Sequence, residues 1–243
     1  PSKAMKECEF FGKAYTAFSS KAEGYRRVPR MNEITYPKNA AYVHICSNNT
    51  IEGTQFHEFP DTGDVPLVCD MSSDIASRQI DFKRFALFYA GAQKNLGPSG
   101  VTLVVIREDL LSQGKSNLPT MFNYQTHARN KSLYNTPPVF GVYFMKLVLE
   151  WIQRQGGLAA VEKVNRAKKD LLYNLIDAHP NFFRGTAKKE SRSWMNVTVR
   201  LPTEDLEKKF VREAKAAGIM GVKGHRSVGG LRFSIYNAVT LED

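Results

Sequence analysis

Cysteine is scarce in this chain of 243 residues. Its three cysteines, Cys8, Cys46 and Cys69, are widely spaced, with no CxxC pair and no paired histidines. This pattern excludes a disulfide framework and a cysteine–histidine zinc site. An apolar run of 18 residues, the length that spans a bilayer, is also lacking. We therefore expect a protein without metal or membrane association, in the cytoplasm or in an organelle with a reducing interior.

Blocks of like charge are absent as well, although the net charge is +10. Such an excess attracts phosphate groups, whether on a nucleic acid or on a small metabolite. No RNA- or DNA-binding motif accompanies the charge, so we expect no nucleic-acid partner. A nucleic-acid-binding module remains the alternative function outside the enzymes. The chain opens with Pro1 and has no signal-peptide pattern. We expect the natural N-terminus to lie further upstream.

What is present is a globular composition, with 42% hydrophobic and 11% aromatic residues. Short apolar or β-branched runs between turn-forming residues predict buried strands at Ala41 to Ile45, Pro66 to Met71, Leu87 to Ala90 and Val101 to Ile106. The last run, VTLVVI, is continuously apolar, which is typical of a strand covered on both faces and favours an α/β sheet. The opening segment KAMKECEFFGKAY has helical spacing and is predicted to pack on this sheet.

The second half of the chain predicts two long helices followed by a smaller α+β unit. Val139 to Gln155 is apolar almost all round and stops at two glycines, which indicates a buried helix. Leu158 to about Ala178 is amphipathic, with its lysines and arginines expected to face water. A strand in MNVTVR, a helix from Glu204 to Ala217 and a strand in LRFSIY follow. We therefore predict two domains, residues 1–155 and 156–243.

One lysine and one aspartate stand at the ends of predicted strands. Lys94 lies in the glycine-rich turn GAQKNLGPSG, where burial would lower the pKa of its ammonium group and favour Schiff-base chemistry. Asp70, in PLVCDMSSD, could pair with the ring nitrogen of pyridoxal phosphate. Each also has a simpler structural explanation, a lysine reaching solvent from a tight turn and an aspartate capping one.

Four stretches carry a specific resemblance: CDMSSDI, GAQKNLGPSGVTLVVIREDLL, LYNTPPVFGVYFMKLVLEWI and GVKGHRSVGGLRFSIYNAVTLED. In this order and spacing they resemble the phosphoserine aminotransferase family, class V enzymes that use pyridoxal phosphate. The resemblance implies pyridoxal-phosphate transferase fold type I, an α/β fold with part of a large domain, whose sheet is mainly parallel, and a smaller α+β C-terminal domain. It implies amino-group transfer between glutamate and 3-phosphohydroxypyruvate, giving O-phosphoserine in serine biosynthesis.

The resemblance also assigns cofactor-binding residues. Lys94 would hold pyridoxal phosphate and move the proton, and Asp70 would pair with the pyridine nitrogen. Thr50, in SNNTIEG, would hydrogen-bond the phenolic oxygen, and Gln93 would contact the cofactor phosphate. Asn135 and Thr136, in YNTPP, would reach the partner's cofactor phosphate, so a homodimer with shared active sites is expected; a plain turn before two prolines is the other explanation.

The segment GHRSVGGLR supplies the expected substrate-binding residues. By the resemblance, His225 and Arg226 bind the substrate phosphate and Arg232 binds the α-carboxylate, which suits the bidentate geometry of arginine. On spacing alone, two arginines near a Gly-Gly turn are more often surface residues.

Family members have roughly another hundred residues before Pro1 and a closing helix after Asp243, so this chain is expected to lack part of the large domain. Two further alternatives stay open: another class V aminotransferase, of the serine or alanine to glyoxylate type, and a catalytically inert fragment.

Overall fold

The computed structural model describes residues 2–115 and 117–243. The strands are β1 Val43–Cys46, β2 Asn48–Asn49, β3 Thr54–Gln55, β4 Leu67–Asp70, β5 Leu87–Gly91, β6 Thr102–Ile106, β7 Arg184–Gly185, β8 Asn196–Arg200 and β9 Leu231–Ser234. The α-helices are α1 Ser2–Cys8, α2 Glu108–Ser112, α3 Tyr124–Arg129, α4 Val139–Arg154, α5 Gly157–Ala178 and α6 Glu204–Ala216. Short 3-10 helices lie at Lys21–Glu23, Met31–Glu33, Phe82–Arg84, Thr120–Phe122 and Lys189–Ser191.

The larger sheet has the strand order β1-β4-β5-β6. The β1–β4 and β4–β5 pairs are parallel, whereas β6 runs antiparallel to β5. Its core includes Leu67, Cys69 and Phe88, and α4 and α5 close it with Ile152 and Val161. The α/β fold with a mainly parallel sheet is therefore confirmed.

The prediction that VTLVVI is covered on both faces is wrong for the described residues. β6 is an edge strand, Thr102 is exposed, and Val105 is 42% exposed. A continuous apolar run does not distinguish a central strand from an edge strand, because its period is the same in both.

Helix α4 agrees with the prediction in its limits but not in its burial. Its C-terminal half packs on the core through Val148, Trp151 and Ile152. Its N-terminal half leaves large apolar side chains exposed within the described chain, with Phe140 at 72%. We call the exposed residues Val139, Phe140, Val142, Tyr143, Phe144, Leu147 and Leu149 the α4 apolar face.

The opening helix α1 ends at Cys8, earlier than predicted, and none of its residues is buried. Phe11, expected on its packed side, is 61% exposed beyond the helix end. No helix of residues 2–115 and 117–243 combines the length and the apolar character that a membrane crossing requires.

The smaller sheet has the order β7-β8-β9 and is antiparallel throughout. Tyr173 and Ile176 of α5 pack on Val197 and Val199 of β8. Because α5 also contributes Val161 to the larger core, one helix connects the two cores. The domain boundary near residue 155 stays a prediction; in the fold it coincides with the turn between α4 and α5.

One lysine of α5 departs from the expected water-facing position. Lys168 is 4% exposed, and its Nζ donates to the backbone carbonyls of Ile235, Tyr236 and Val239 at 3.1, 2.9 and 2.8 Å. The carbonyls after β9 need donors because that segment leaves the sheet, and a long lysine side chain reaches them from the helix.

Candidate active site

Two neighbouring parallel strands end at the candidate site. Asp70 is the last residue of β4, and Lys94 lies three residues beyond the end of β5. The carboxyl ends of parallel strands meet at one edge of a sheet, which is where open α/β sheets bind ligands. The Gly91 N–H donates to Ser72 Oγ at 3.1 Å, which links the two strand ends.

The Lys94 amine is the centre of the site. Its Nζ donates to Thr50 Oγ1 at 2.6 Å and lies 6.0 Å from the centre of the Tyr236 ring. Burial lowers the pKa of Lys94, and the charge of Arg232 lowers it further, whereas Asp70 acts in the opposite direction. A larger neutral fraction makes this amine a better nucleophile toward a carbonyl carbon.

The turn that carries Lys94 is held by its neighbour Asn95. Asn95 Nδ2 donates to the Ile75 carbonyl at 2.9 Å, and its Oδ1 accepts from the Asn237 N–H at 3.0 Å. Leu96 is 1% exposed and anchors the same turn in the core. The lysine thus stands on a backbone that is fixed on both sides.

The Asp70 carboxylate is oriented by the turn that follows β4. Its Oδ1 accepts from the Ser72 N–H at 2.9 Å. The second aspartate of this turn, Asp74, is fully buried instead, where burial raises its pKa and Gln55 Nε2 donates to it at 3.0 Å. Of the two, only Asp70 is partly open to a ligand, and Asp74 is structural.

A cleft of about 520 Å³ lies between the smaller sheet and the segment around Ile51. His225 and Arg232 line it, together with Arg26, Arg184 and Arg200. Arg232 Nε is buried and has no hydrogen-bond partner among the described residues. An unpaired buried guanidinium donor is costly, so a bound anion would satisfy it.

His225 is presented by a glycine turn. A Cβ at Gly224 would collide with the Gly229 carbonyl, so only glycine fits there. His225 Nδ1 accepts from the Ser227 N–H at 3.2 Å, which leaves Nε2 as the protonated nitrogen of the neutral ring. The ring can therefore donate a hydrogen bond into the cleft.

The remaining predicted residues are not gathered with Lys94. Arg226 is exposed and does not line the cleft as described. Gln93 is exposed, and its side-chain amide lies over Gly91. Asn135 and Thr136 are exposed just before α4, and Asn135 Nδ2 contacts only the adjacent Thr136 carbonyl, at 3.4 Å, among the described residues.

Sequence reasoning missed several residues of this region. Tyr236 faces Lys94, and Asn196 Nδ2 donates to its hydroxyl at 3.0 Å. Arg26, Arg184 and Arg200 come from three separate segments, so no local pattern links them to the cleft. The contacts of Asn237 with Asn95 and Asn165 had one signal in the sequence, a polar residue within a mostly apolar run.

The donor set fits pyridoxal phosphate. A half-buried amine with a lowered pKa, a hydroxyl 2.6 Å from it and a strand-end carboxylate are groups that could hold its carbonyl carbon, phenolic oxygen and ring nitrogen. The buried, unpartnered Arg232 Nε adds a place for an anionic substrate group. No cluster of three or more metal-binding side chains occurs in the described part of the chain.

Comparison with known proteins gives consistent matches over nearly the whole chain. The family model for Aminotransferase class-V matches residues 9–243. A phosphoserine aminotransferase of Lysinibacillus sphaericus is 56% identical over 240 residues, 99% of this chain and 66% of that protein. The solved phosphoserine aminotransferase of Bacillus circulans subsp. alkalophilus superposes with a TM-score of 0.97 at 55% identity, covering 99% of this chain and 67% of that one.

A more distant solved structure is the pyridoxal-phosphate-bound phosphoserine aminotransferase of Trichomonas vaginalis. It has a TM-score of 0.92 at 36% identity and covers 99% of this chain and 69% of that one. The chain spans about two thirds of the length of the curated relatives it matches.

Proposed function

The chain belongs to the class V aminotransferase family, and from this membership we propose that it forms the reactive centre of a phosphoserine aminotransferase. The reaction transfers the amino group between glutamate and 3-phosphohydroxypyruvate. The observation that carries the proposal is the placement of the half-buried Lys94 amine 2.6 Å from Thr50 Oγ1, at the sheet edge where β4 ends in Asp70.

Pyridoxal phosphate, when bound, supplies a ring that takes up the electron pair left at the substrate Cα. Lys94 holds the cofactor and, once released, carries the proton from and to the substrate carbon, for which its lowered pKa is suited. Asp70 keeps the ring nitrogen protonated, and Thr50 donates to the phenolic oxygen. Gln93 contacts the cofactor phosphate.

The cleft beside the site supports a doubly anionic substrate. Arg232 offers its buried Nε to the α-carboxylate. His225 and the adjacent Arg226 bind the phosphate at the turn of the smaller sheet. A substrate without phosphate would make neither of these contacts at the turn, which favours the phosphorylated keto acid over the substrates of other class V enzymes.

The working unit in this proposal is a homodimer. Asn135 and Thr136 are exposed and precede the seven exposed apolar residues of the α4 apolar face, and contiguous exposed apolar surface marks an interaction site. The two residues then reach the partner's cofactor phosphate, so that both active sites are shared.

The proposed location is the cytoplasm or an organelle with a reducing interior. Cys8, Cys46 and Cys69 are all free thiols, a state that such a compartment maintains.

The experiment is borohydride reduction of the holoenzyme followed by peptide mass spectrometry, together with transaminase assays of Lys94→Ala. We expect the pyridoxyl label on Lys94 and loss of nearly all activity in the variant, because among the described residues this is the lysine amine that lies beside Thr50 at the sheet edge. Lys131→Ala, which removes an exposed lysine, is the matched control and should keep its activity. A label on Lys115 or Lys131 would overturn the assignment.

A further inference from the structure

Three side chains share the sheet face that carries Asp70. Asp70 pairs in register with Cys46 of β1 on one side and with Tyr89 of β5 on the other. His44 lies two residues before Cys46 and therefore on the same face of β1. β4 thus presents its carboxylate between a strand with a histidine and a strand with a tyrosine.

The histidine and the tyrosine meet above the strand that carries Asp70. His44 Nε2 and the Tyr89 hydroxyl are 3.1 Å apart, and the two rings stack with their centres 6.0 Å apart. Because β4 lies between β1 and β5, this contact spans β4. Both side chains are half-buried.

The protonation of the pair follows from its surroundings. Burial raises the pKa of Tyr89, and the charge of the neighbouring Asp70 acts in the same direction. Burial lowers the pKa of His44, opposed by the charge of Asp70. Near neutral pH the tyrosine hydroxyl keeps its proton and the imidazole is neutral. The hydroxyl can then accept from His44 Nε2, which leaves its own proton free for a group on the same sheet face, where Asp70 is its register partner.

We propose that Tyr89, oriented by His44, is a positioning residue whose hydroxyl donates to the Asp70 carboxylate beside it on the same sheet face and so sets the direction in which Asp70 meets the cofactor ring nitrogen. This inference rests on the proposed function, since it gives Asp70 that role. With Oδ1 already held by the Ser72 N–H, a second donor leaves the carboxylate one preferred orientation.

The test uses the holoenzyme and the variants Tyr89→Phe, His44→Phe and their combination. Tyr89→Phe should lower kcat about tenfold, the scale of one lost hydrogen bond to a charged group, with a change of less than about twofold in the KM for glutamate. It should also shift the midpoint of the pH titration of the cofactor's absorption band, because the ring nitrogen then faces a carboxylate with one hydrogen-bond donor fewer. His44→Phe should have a smaller effect of the same kind.

The double variant shows whether the two substitutions lower kcat through one shared contact, as a positioning role requires, or through separate effects on stability. If His44 acts through the tyrosine hydroxyl, the double variant should be no slower than Tyr89→Phe alone. Tyr124→Phe, which removes another tyrosine hydroxyl on α3, is the matched control and should change neither kcat nor the absorption titration. Additive losses, or a loss of kcat without the spectral shift, would overturn the inference and leave Tyr89 with a structural role only.

The variant Asp70→Asn distinguishes failure of this inference from failure of the proposed function. A slow Asp70→Asn enzyme beside a wild-type-like Tyr89→Phe enzyme contradicts the positioning role alone. Wild-type turnover in Asp70→Asn contradicts the proposed role of Asp70, and the inference falls with it.

Discussion

Arg226 and Arg232 stand six residues apart but occupy different surroundings. Arg232 lies on β9, half-buried, with its Nε enclosed and unpartnered within the described chain. Arg226 is exposed on the glycine turn next to His225. A guanidinium whose buried Nε reaches the α-carboxylate would contact a group that all amino-acid substrates share. A guanidinium on the exposed turn would contact only the side-chain end, which differs between substrates.

Substrate selectivity should therefore divide between the two arginines. Wild-type enzyme should prefer phosphoserine over serine by at least about a hundredfold in kcat/KM, since each charge-assisted contact is worth about 1.5 to 3 kcal/mol. Arg226→Ala should reduce kcat/KM for phosphoserine selectively. Arg232→Ala should reduce it for phosphoserine and glutamate alike, because both carry the α-carboxylate. Steady-state kinetics with the three amino acids measure these effects.

Arg212→Ala, an exposed arginine on α6, is the control and should keep the wild-type preference. Equal slowing of serine and phosphoserine by Arg226→Ala would remove its phosphate role. Unimpaired glutamate turnover in Arg232→Ala would remove the carboxylate role. Serine used as well as phosphoserine by the unmutated enzyme would identify another class V aminotransferase.

At the scale of elements, α5 fixes the segment that follows β9. Lys168 binds three carbonyls there, and Asn165 Nδ2 donates to Asn237 Oδ1 at 2.8 Å. Asn237 in turn contacts Asn95, next to Lys94, through its N–H. The helix of the smaller unit thus supports the turn that carries Lys94.

Lys168→Met should destabilise the holoenzyme by about 2 kcal/mol or more, because it leaves buried carbonyls without a donor. Urea denaturation followed by circular dichroism measures the change in the free energy of unfolding. Lys163→Met, an exposed lysine on the same helix, should alter stability by less than about 0.5 kcal/mol. Equal stability of the two variants would mean that the three contacts contribute nothing net.

Element limits were largely predictable from the sequence, since strands and helices depend on local patterns. The predicted strand from Leu87 to Ala90 and helix from Val139 to Gln155 each end within one residue of the observed limits. Burial was less predictable: Phe140 and Val105 are exposed in the described chain, because periodicity does not indicate which face another element covers.

The residues of the candidate site also fall into those that local sequence patterns predict and those that they do not. Lys94 and Asp70 were predictable as candidates because Asp70 ends one apolar strand and Lys94 closely follows another, and the parallel pairing of those strands brings their ends to one edge. Tyr89 and Tyr236 were not, because an aromatic residue within a strand sequence looks like any core residue until the strand order is known. Contacts such as that between His44 and Tyr89 join residues 45 positions apart.

For the molecule as a whole, part of the net charge of +10 lies where an anion would enter. Four arginines and His225 line one cleft with a single acidic residue, Glu52. Long-range attraction of this kind raises the association rate of anionic substrates and weakens as salt increases. This arrangement accounts for part of the basic composition without a nucleic-acid partner.

Subunit mixing tests the shared active site. A Lys94→Ala subunit paired with an Asn135→Ala, Thr136→Ala subunit should regain activity, because one of the two sites then combines Lys94 with an intact partner loop. The measurement is transaminase activity after demonstrated dissociation and reassociation. Each variant reassociated with itself is the control and should stay inactive or slow. Verified heterodimers that bind cofactor but regain nothing would contradict the cross-subunit role.

The antiparallel pairing of β5 and β6 has a consequence for the order of folding. The two strands form a hairpin, with Gly91 opposite Thr102 and Lys94 in the connecting loop. Such a hairpin closes over a short stretch of chain and forms in about 1 to 10 μs, whereas parallel partners need long crossovers. We therefore expect the Lys94 loop to close before β4 docks beside β5 and brings Asp70 to the same edge. In a refolding chain, tight capture of the cofactor would then wait for the parallel sheet, because only that pairing places Asp70 beside the Lys94 loop.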